Sequence, residues 1–479
     1  MAHLRYRNPY LGSLVHSIEH TFLDSDTFGK AHKLKERLEF PLRNIRLQLQ
    51  EIVDHNGFPR VTKLSLFSPD IGIAGMLLRG LCPQLEVLYI SSEEFQYLPF
   101  RQLAGLPSKL RELEMVIYYE SILTRGQSLF RNASHSNPDS VMHMDVNAFL
   151  TSSASLRILR ITGAQELDTL FEGITLPHLH TLETTRLFSS HVDQTAACLA
   201  SFLSRNLSIS RLAMRSLPDQ GEAISSISGA SSAGIRELIS SVEEVSDDYL
   251  IFLKGFKHIR TFKLERDIDE SYILLTDLIE IMGHLHRDHQ SGIKGLVLPM
   301  PSYIGQRDKD LASLKIRLAR DALSGFGMAF KNNLPEVEVF GINQVGKFGK
   351  LEAVPPPPPL LALSPFANSS GWGLKVEWAH ALAGHPHLKK LAIKTPFLSS
   401  SRLRSKTRQE VIDEIAQEFS VLPQLEHLVF PEGPDWCGRA VQVLIVRGEL
   451  GVSGKAATVE KSMVGEVFFD PFFKDTWSW

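Results

Sequence analysis

Leu81-Cys82-Pro83-Gln84-Leu85-Glu86-Val87-Leu88-Tyr89-Ile90 decides how this chain of 479 residues is read. A proline turn is followed by apolar residues at spacing three and then two, Leu85-x-x-Leu88-x-Ile90. In an extended segment residues two apart point the same way, so Leu88 and Ile90 leave one face of a short strand together. Leu85 turns the chain in beneath them, and Tyr89 between them faces the other way.

The pattern recurs from end to end. It stands in Phe58-Pro59-Arg60-Val61-Thr62-Lys63-Leu64-Ser65-Leu66, in Leu110-x-x-Leu113-x-Met115 and in Leu156-x-x-Leu159-x-Ile161. Leu179-x-x-Leu182, Ile209-x-x-Leu212-x-Met214 and Ile259-x-x-Phe262-x-Leu264 follow. Then come Ile293-x-x-Leu296-x-Leu298, Val337-x-x-Phe340-x-Ile342, Leu388-x-x-Leu391-x-Ile393 and Leu425-x-x-Leu428-x-Phe430. Leu64, Leu88 and Leu113 are 24 and 25 residues apart, and Leu159 and Leu182 are 23 apart. These steps fall in the ~20–29-residue period of leucine-rich repeats, whose units bury a continuous core only by stacking. The rest of each period returns as helix or irregular chain: Ile71, Ile73, Met76, Leu77 and Leu78 have helical spacing.

Longer steps of 46, 50 and 51 residues end at Leu159, Phe262 and Leu391. They contain polar or biased inserts near residues 119–147, 217–246 and 343–371, expected as loops. The third insert holds Pro355 to Pro359, an extended polyproline run read as a spacer. Residues 1–55 read as a helical cap, with Leu11, Leu14, Val15 and Ile18 at helical spacing. The repeats occupy residues 56–438. Residues 439–479 read as a strand, Val441–Val446, and an aromatic tail that either covers the open last repeat or docks a partner.

A net charge of -3 argues against a nucleic-acid partner, which calls for a basic face. Cys82, Cys198 and Cys437 are too few and scattered for a disulfide framework or zinc site and read as buried hydrophobes in a reducing compartment. No apolar leader and no apolar run long enough to span a bilayer is visible, so a cytoplasmic or nuclear protein without a membrane partner is expected. The sequons at Asn132, Asn206 and Asn368 are then expected to stay unmodified.

Gly448 to Ala456 glances at a phosphate-binding loop, but Glu449 stands where its first glycine belongs and Ala456 where its magnesium-binding hydroxyl belongs. His284, His286 and His289 point in different directions around a helix and read as a polar helix end. His178, His180, His385 and His387 flank repeat leucines and read as surface residues. Glu93-Glu94, Glu243-Glu244 and Asp247-Asp248 read as solvated carboxylates. No catalytic residue, cofactor or metal ligand is assigned, and a non-enzymatic protein is expected.

The repeats resemble the leucine-rich-repeat region of fungal F-box-type proteins, written Leu/Phe-Pro-x-Leu-x-x-Leu. That pattern stands at Phe58-Pro59, Leu106-Pro107, Leu176-Pro177, Leu334-Pro335 and Leu422-Pro423. Asn8-Pro9-Tyr10-Leu11-x-x-Leu14-Val15-x-Ser17-Ile18 is similar to the piece that follows the F-box in that family. The F-box would precede residue 8, so the family's adaptor-binding surface has no positions here, and a ligase adaptor is expected only if an F-box lies upstream. The expected fold is α/β, an irregular leucine-rich-repeat solenoid curved as a horseshoe with long inserted loops. Its concave face would carry Lys63, Ser65, Tyr89, Glu112, Glu114, Arg160, Arg211, Lys263 and Lys390 toward a protein partner. The resemblance implies a scaffold like the substrate-recruiting part of an F-box ubiquitin-ligase receptor. The alternative is a free-standing repeat protein that regulates or assembles one partner without ligase components.

Overall fold

The computed structural model describes residues 15–21, 46–54, 58–67, 71–92, 98–117, 146–162, 170–185, 192–217, 225–229, 234–266, 273–288, 292–299, 312–343, 373–393, 406–431 and 439–460, apart from one or two positions inside some spans. Two compact units divide the chain, Met1–Gly234 and Ile235–Trp479.

Among the described residues, the first unit holds seven parallel strands laid side by side in chain order. They are β1 (Ser17–Thr21), β2 (Lys63–Phe67), β3 (Val87–Ser92), β4 (Glu112–Ile117), β5 (Ile158–Thr162), β6 (Thr181–Thr185) and β7 (Arg211–Arg215). Helices α1 (Ile71–Leu81), α2 (Phe100–Leu103) and α3 (Val192–Arg205) return the chain between strands. Register puts Leu64, Leu88, Leu113, Leu159, Leu182 and Leu212 in one row, each fully buried.

The proline motif explains that row. The Val61 N–H donates to Phe58 O at 3.3 Å, Leu85 to Cys82 O at 3.3 Å and Leu179 to Leu176 O at 3.1 Å. Each is a turn closed over three residues, with Pro59, Pro83 or Pro177 second, where its fixed φ suits the bend. The next residue joins the previous repeat: Glu86 N to Thr62 O, Arg111 N to Glu86 O and Arg157 N to Arg111 O, each 2.8 Å. A one-residue slip would expose every buried anchor.

Asn206 fills the corresponding turn before β7. Its Oδ1 accepts from Leu176 N at 2.5 Å and its Nδ2 donates to Phe202 O at 2.7 Å, tying two repeats. Only 2% of it is exposed, so this sequon has no accessible amide in the fold. Asn132 and Asn368 lie outside the described residues, as does Cys437. Cys82 is buried as expected, which pushes its thiol pKa up to about 12.

The second unit contains parallel strands β8 (Glu237–Val242), β9 (Thr261–Arg266), β10 (Gly295–Pro299), β11 (Val339–Asn343), β12 (Lys390–Ile393) and β13 (His427–Pro431). Its helices are α4 (Asp247–Lys254), α5 (Leu275–Asp288), α6 (Ala312–Asn333), α7 (Gly373–Leu382) and α8 (Arg408–Phe419). Helix α5 packs on α6, and α6 on α7. Gly327 permits the second contact, because a Cβ there would lie 1.9 Å from Ala381 O. Phe326, Phe330, Phe340, Trp378 and His385 form one aromatic cluster behind β11.

Four sequence expectations change on this structure. Residues 17–21 are a strand rather than part of a helical cap, because Ile18 joins the anchor row beside Leu64; residues 46–51 are helical. The supposed loop at 217–246 contains β8, an additional repeat with Ile235 and Leu238 as anchors and Ser240 in the third apolar position. Ser240 is tolerated there because its hydroxyl meets the buried Tyr249 hydroxyl at 2.5 Å. His385 is fully buried, not a surface residue: its Nε2 meets Leu334 O at 3.1 Å and its ring lies 4.6 Å from Phe330.

The fourth change is the end of the sheet. The strand expected at Val441–Val446 is half of an antiparallel hairpin, β14 (Arg439–Gly448) with β15 (Gly451–Glu460), and β14 pairs antiparallel with β13. Gly454 sits where a Cβ would meet Ile412 and Ala416 of α8 at 2.9 and 3.1 Å. Its N–H donates to Asp413 Oδ1 at 3.0 Å, so this glycine serves helix–hairpin packing. The inserts at 119–147 and 343–371, with the proline run, lie almost wholly outside the described residues, and the aromatic tail lies wholly outside them.

Candidate protein interface

Alternation along each strand of the first unit sends one set of side chains into the core and the other to the opposite face. Strand register then sorts the second set into rows. One row runs Ser17, Lys63, Val87, Glu112, Ile158, Thr181, Arg211. The next runs Glu19, Ser65, Tyr89, Glu114, Arg160, Glu183, Ala213, and a third includes Phe67, Ser91, Val116, Thr162, Thr185 and Arg215. Seven of the nine sequence-derived positions, Lys63, Ser65, Tyr89, Glu112, Glu114, Arg160 and Arg211, therefore share one face of one unit.

An ion-pair ladder crosses four of these strands. Arg160 on β5 donates from Nη1 to Glu112 on β4, reaches Glu114 at 3.5 Å, and places Nε 3.2 Å from Glu183 Oε2 on β6. Arg211 on β7 meets the other Glu183 oxygen at 3.4 Å. Partial burial works against the Arg160 charge, but the hydrogen bond to Glu112 and the fields of Glu183, Glu112 and Glu114 outweigh it and raise its pKa. The side chains are half-buried, 24% exposed at Arg160 and 13% at Glu183. Mutual contact thus holds them in one arrangement before any partner arrives.

Beside the ladder, Phe67 and Tyr89 lie ring on tilted ring, centroids 4.7 Å apart. Tyr89 is the register neighbour of Glu114. Half-buried aromatic side chains next to fixed charges are the composition of interface hot spots. Ser65 is 8% exposed and lies low between its neighbours, whereas Lys63 is exposed.

Lys263 and Lys390 belong to the second unit and depart from this picture. Lys263 points away from the core, yet it is only 4% exposed and its ammonium is held by Glu265 at 2.6 Å. Its row neighbours Ile239, Val297, Gly341 and Ala392 are buried as well. Lys263 is therefore not an exposed contact residue. Lys390 is half-buried; burial lowers its pKa, with Glu426 opposing the shift and Lys389 adding to it.

Sequence reasoning missed Glu183 and Phe67. The repeat at Leu182 lacks a third apolar residue, since Thr184 stands there, so its strand face went unread. Phe67 follows the last anchor of its repeat and looks like core until register places it beside Tyr89.

His284 and His286 lie in the last turns of α5, and Asp247 and Asp248 in the first turn of α4 after the cap Ser246. His178, His180 and His387 are exposed. Glu93-Glu94 and Glu243-Glu244 lie outside the described residues. Among the described residues, no three His, Cys, Asp or Glu side chains come together as a metal site, and no helix is long and apolar enough to cross a membrane.

No family model matches the chain, and no curated protein matches it. Among solved structures it is similar to a crystal structure of the Rad7 and Elc1 complex in yeast, with 12% identity and a TM-score of 0.34 over 85% of this chain and 93% of that one. D-threonine aldolase from Filomicrobium marinum matches with 11% identity and a TM-score of 0.18, over 63% of this chain and 68% of that one. Both scores lie below the range in which a fold is shared. The functional reading therefore rests on the residues themselves.

Proposed function

We propose that this chain is a non-enzymatic protein-interaction scaffold, an irregular leucine-rich-repeat solenoid whose horseshoe curvature presents the strand face of the first unit to a protein partner. The observation that carries the reading is the preorganised ladder from Glu112 to Arg211 with the Phe67–Tyr89 pair at its side. Fixed charges of both signs select a partner by complementarity, and adjacent aromatics supply the apolar area that binding needs. The alternation of Glu and Arg favours a protein over a polyanion.

The sequence resemblance to F-box-type repeats supports a finer reading, the substrate-recruiting part of a ubiquitin-ligase receptor in the cytoplasm or nucleus. Affinity capture of the tagged chain from native cells, read by mass spectrometry, tests it. Recovery of a Skp-type adaptor and a cullin supports the ligase reading. A partner recovered without them leaves a free-standing scaffold that regulates or assembles that partner.

A further inference from the structure

The strand face of the first unit is electrically polarised along the repeat axis. On β1 to β4 it carries Glu19, Glu112 and Glu114 against Lys63, which is three negative and one positive. On β5 to β7 it carries Arg160, Arg211 and Arg215 against Glu183, which is three positive and one negative. The halves thus differ in sign, -2 against +2, while the face as a whole is neutral. At the junction Arg160 is shared among Glu112 and Glu114 on one side and Glu183 on the other, and Glu183 between Arg160 and Arg211, so the ladder neutralises the middle only in part. The outer charges, Glu112 with Glu114 on one side and Arg211 with Arg215 on the other, set the polarity.

We infer that the partner segment is itself polarised, an extended peptide lying across the strands with a basic residue over Tyr89 and Glu114 and an acidic residue over Arg211 and Arg215. This rests on the protein-scaffold reading above and specifies its ligand. The Tyr89 ring offers a cation–π surface and Glu114 a carboxylate beside it, a pairing suited to Arg or Lys. The two arginines of β7 suit a carboxylate, which a guanidinium binds through two parallel hydrogen bonds. From β4 to β7 there are three strand spacings, about 14 Å at ~4.8 Å each, and an extended chain covers that in four to five residues at ~3.3 Å each. The partner therefore carries opposite charges about four to five positions apart. Either chain direction satisfies the face, because the charges and not the partner's backbone set the orientation.

Panning a random dodecapeptide display library on the full-length chain tests this. Enriched peptides are expected to pair Arg or Lys with Asp or Glu at that separation. Glu112→Gln/Glu114→Gln is expected to remove the preference for the basic residue, and Arg211→Gln/Arg215→Gln the preference for the acidic one, each with about a tenfold loss of affinity for wild-type-selected peptides. Melting curves confirm that each variant is folded, and the two variants act on opposite ends, so one suffices if the other unfolds. Peptides that lose binding with Tyr89→Ala but show no charge spacing overturn the polarity and leave the interface standing. Absence of any enriched peptide that depends on this face overturns both.

Discussion

Arg160 Nε lies 3.2 Å from Glu183 Oε2 on the neighbouring strand, while Nη1 of the same guanidinium turns back to Glu112 on the strand before. One arginine therefore joins three consecutive repeats on a face that the hydrophobic core does not reach. Arg160→Ala removes the cation that half-buried Glu112, Glu114 and Glu183 share, and leaves Glu183 with Arg211. It is expected to cost about 2 kcal/mol of unfolding free energy, measured by chemical denaturation, with part of the loss recovered in high salt. Loss of less than about 0.5 kcal/mol would assign the ladder to ordinary surface pairing.

The aromatic cluster of the second unit predicts an acid weakness. Burial, with His387 and Lys331 nearby, holds the His385 pKa down to about 4, although the hydrogen bond to Leu334 O favours the charged ring. The unfolded chain binds this proton at about pH 6.5. His385 therefore contributes no pH dependence above that value, and stability falls as pH drops from about 6.5 towards 4, by on the order of 2 kcal/mol between pH 7 and 4.5. Denaturant midpoints at the two pH values measure the change. His385→Gln, which keeps a donor for Leu334 O, is expected to shrink it.

Two glycines of α6 make a paired prediction. Gly327→Ala places a methyl group against Ala381 O and is expected to destabilise by about 2–3 kcal/mol, since backbone cannot yield cheaply. A Cβ at Gly325 would meet nothing within 4 Å beyond its own helix backbone and chain neighbours, so Gly325→Ala is expected to stabilise by about 0.5–1 kcal/mol through helix propensity. Thermal melting of the two variants reads both signs.

The additional repeat at β8, anchored by Ile235 and Leu238, fills its third apolar position with one hydroxyl pair. Ser240→Ala leaves the buried Tyr249 hydroxyl without its 2.5 Å partner and is expected to cost about 1–2 kcal/mol. Tyr249→Phe does the reverse, and the double variant is expected to recover most of the loss. A double-mutant cycle with no coupling would mean the pair does not hold this repeat.

The same pair shows where the sequence stopped being legible. Leu88, Leu113 and Leu159 could be read because each anchor row demands an apolar residue that nothing else replaces cheaply. Ser240 and Thr184 break the pattern with hydroxyls that find partners inside the fold, Tyr249 and Ala213 O, and the partner is invisible in one dimension. His385 escaped for a similar reason: it takes the turn position before proline that Leu334 and Leu422 fill elsewhere, satisfied by a carbonyl 51 residues away in sequence. Strand β15, with glycine, serine and alanine in Gly451–Glu460, has little β-propensity of its own and forms on β14 and α8. For the candidate interface, alternation alone told which residues point away from the core. Which charges meet depends on register between repeats of unequal length, so the contact of Glu112 with Arg160, 48 positions apart, had no local signal.

The central claim is that the strand face of the first unit recruits a protein. It is tested most directly by quantitative capture from native cells with three forms of the full chain: wild type, Tyr89→Ala/Arg211→Glu on the face, and Arg79→Ala on α1 as a control away from it. The account predicts a protein that wild type and control retain equally and the face variant loses by at least about tenfold. Equal retention by all three folded forms would contradict it.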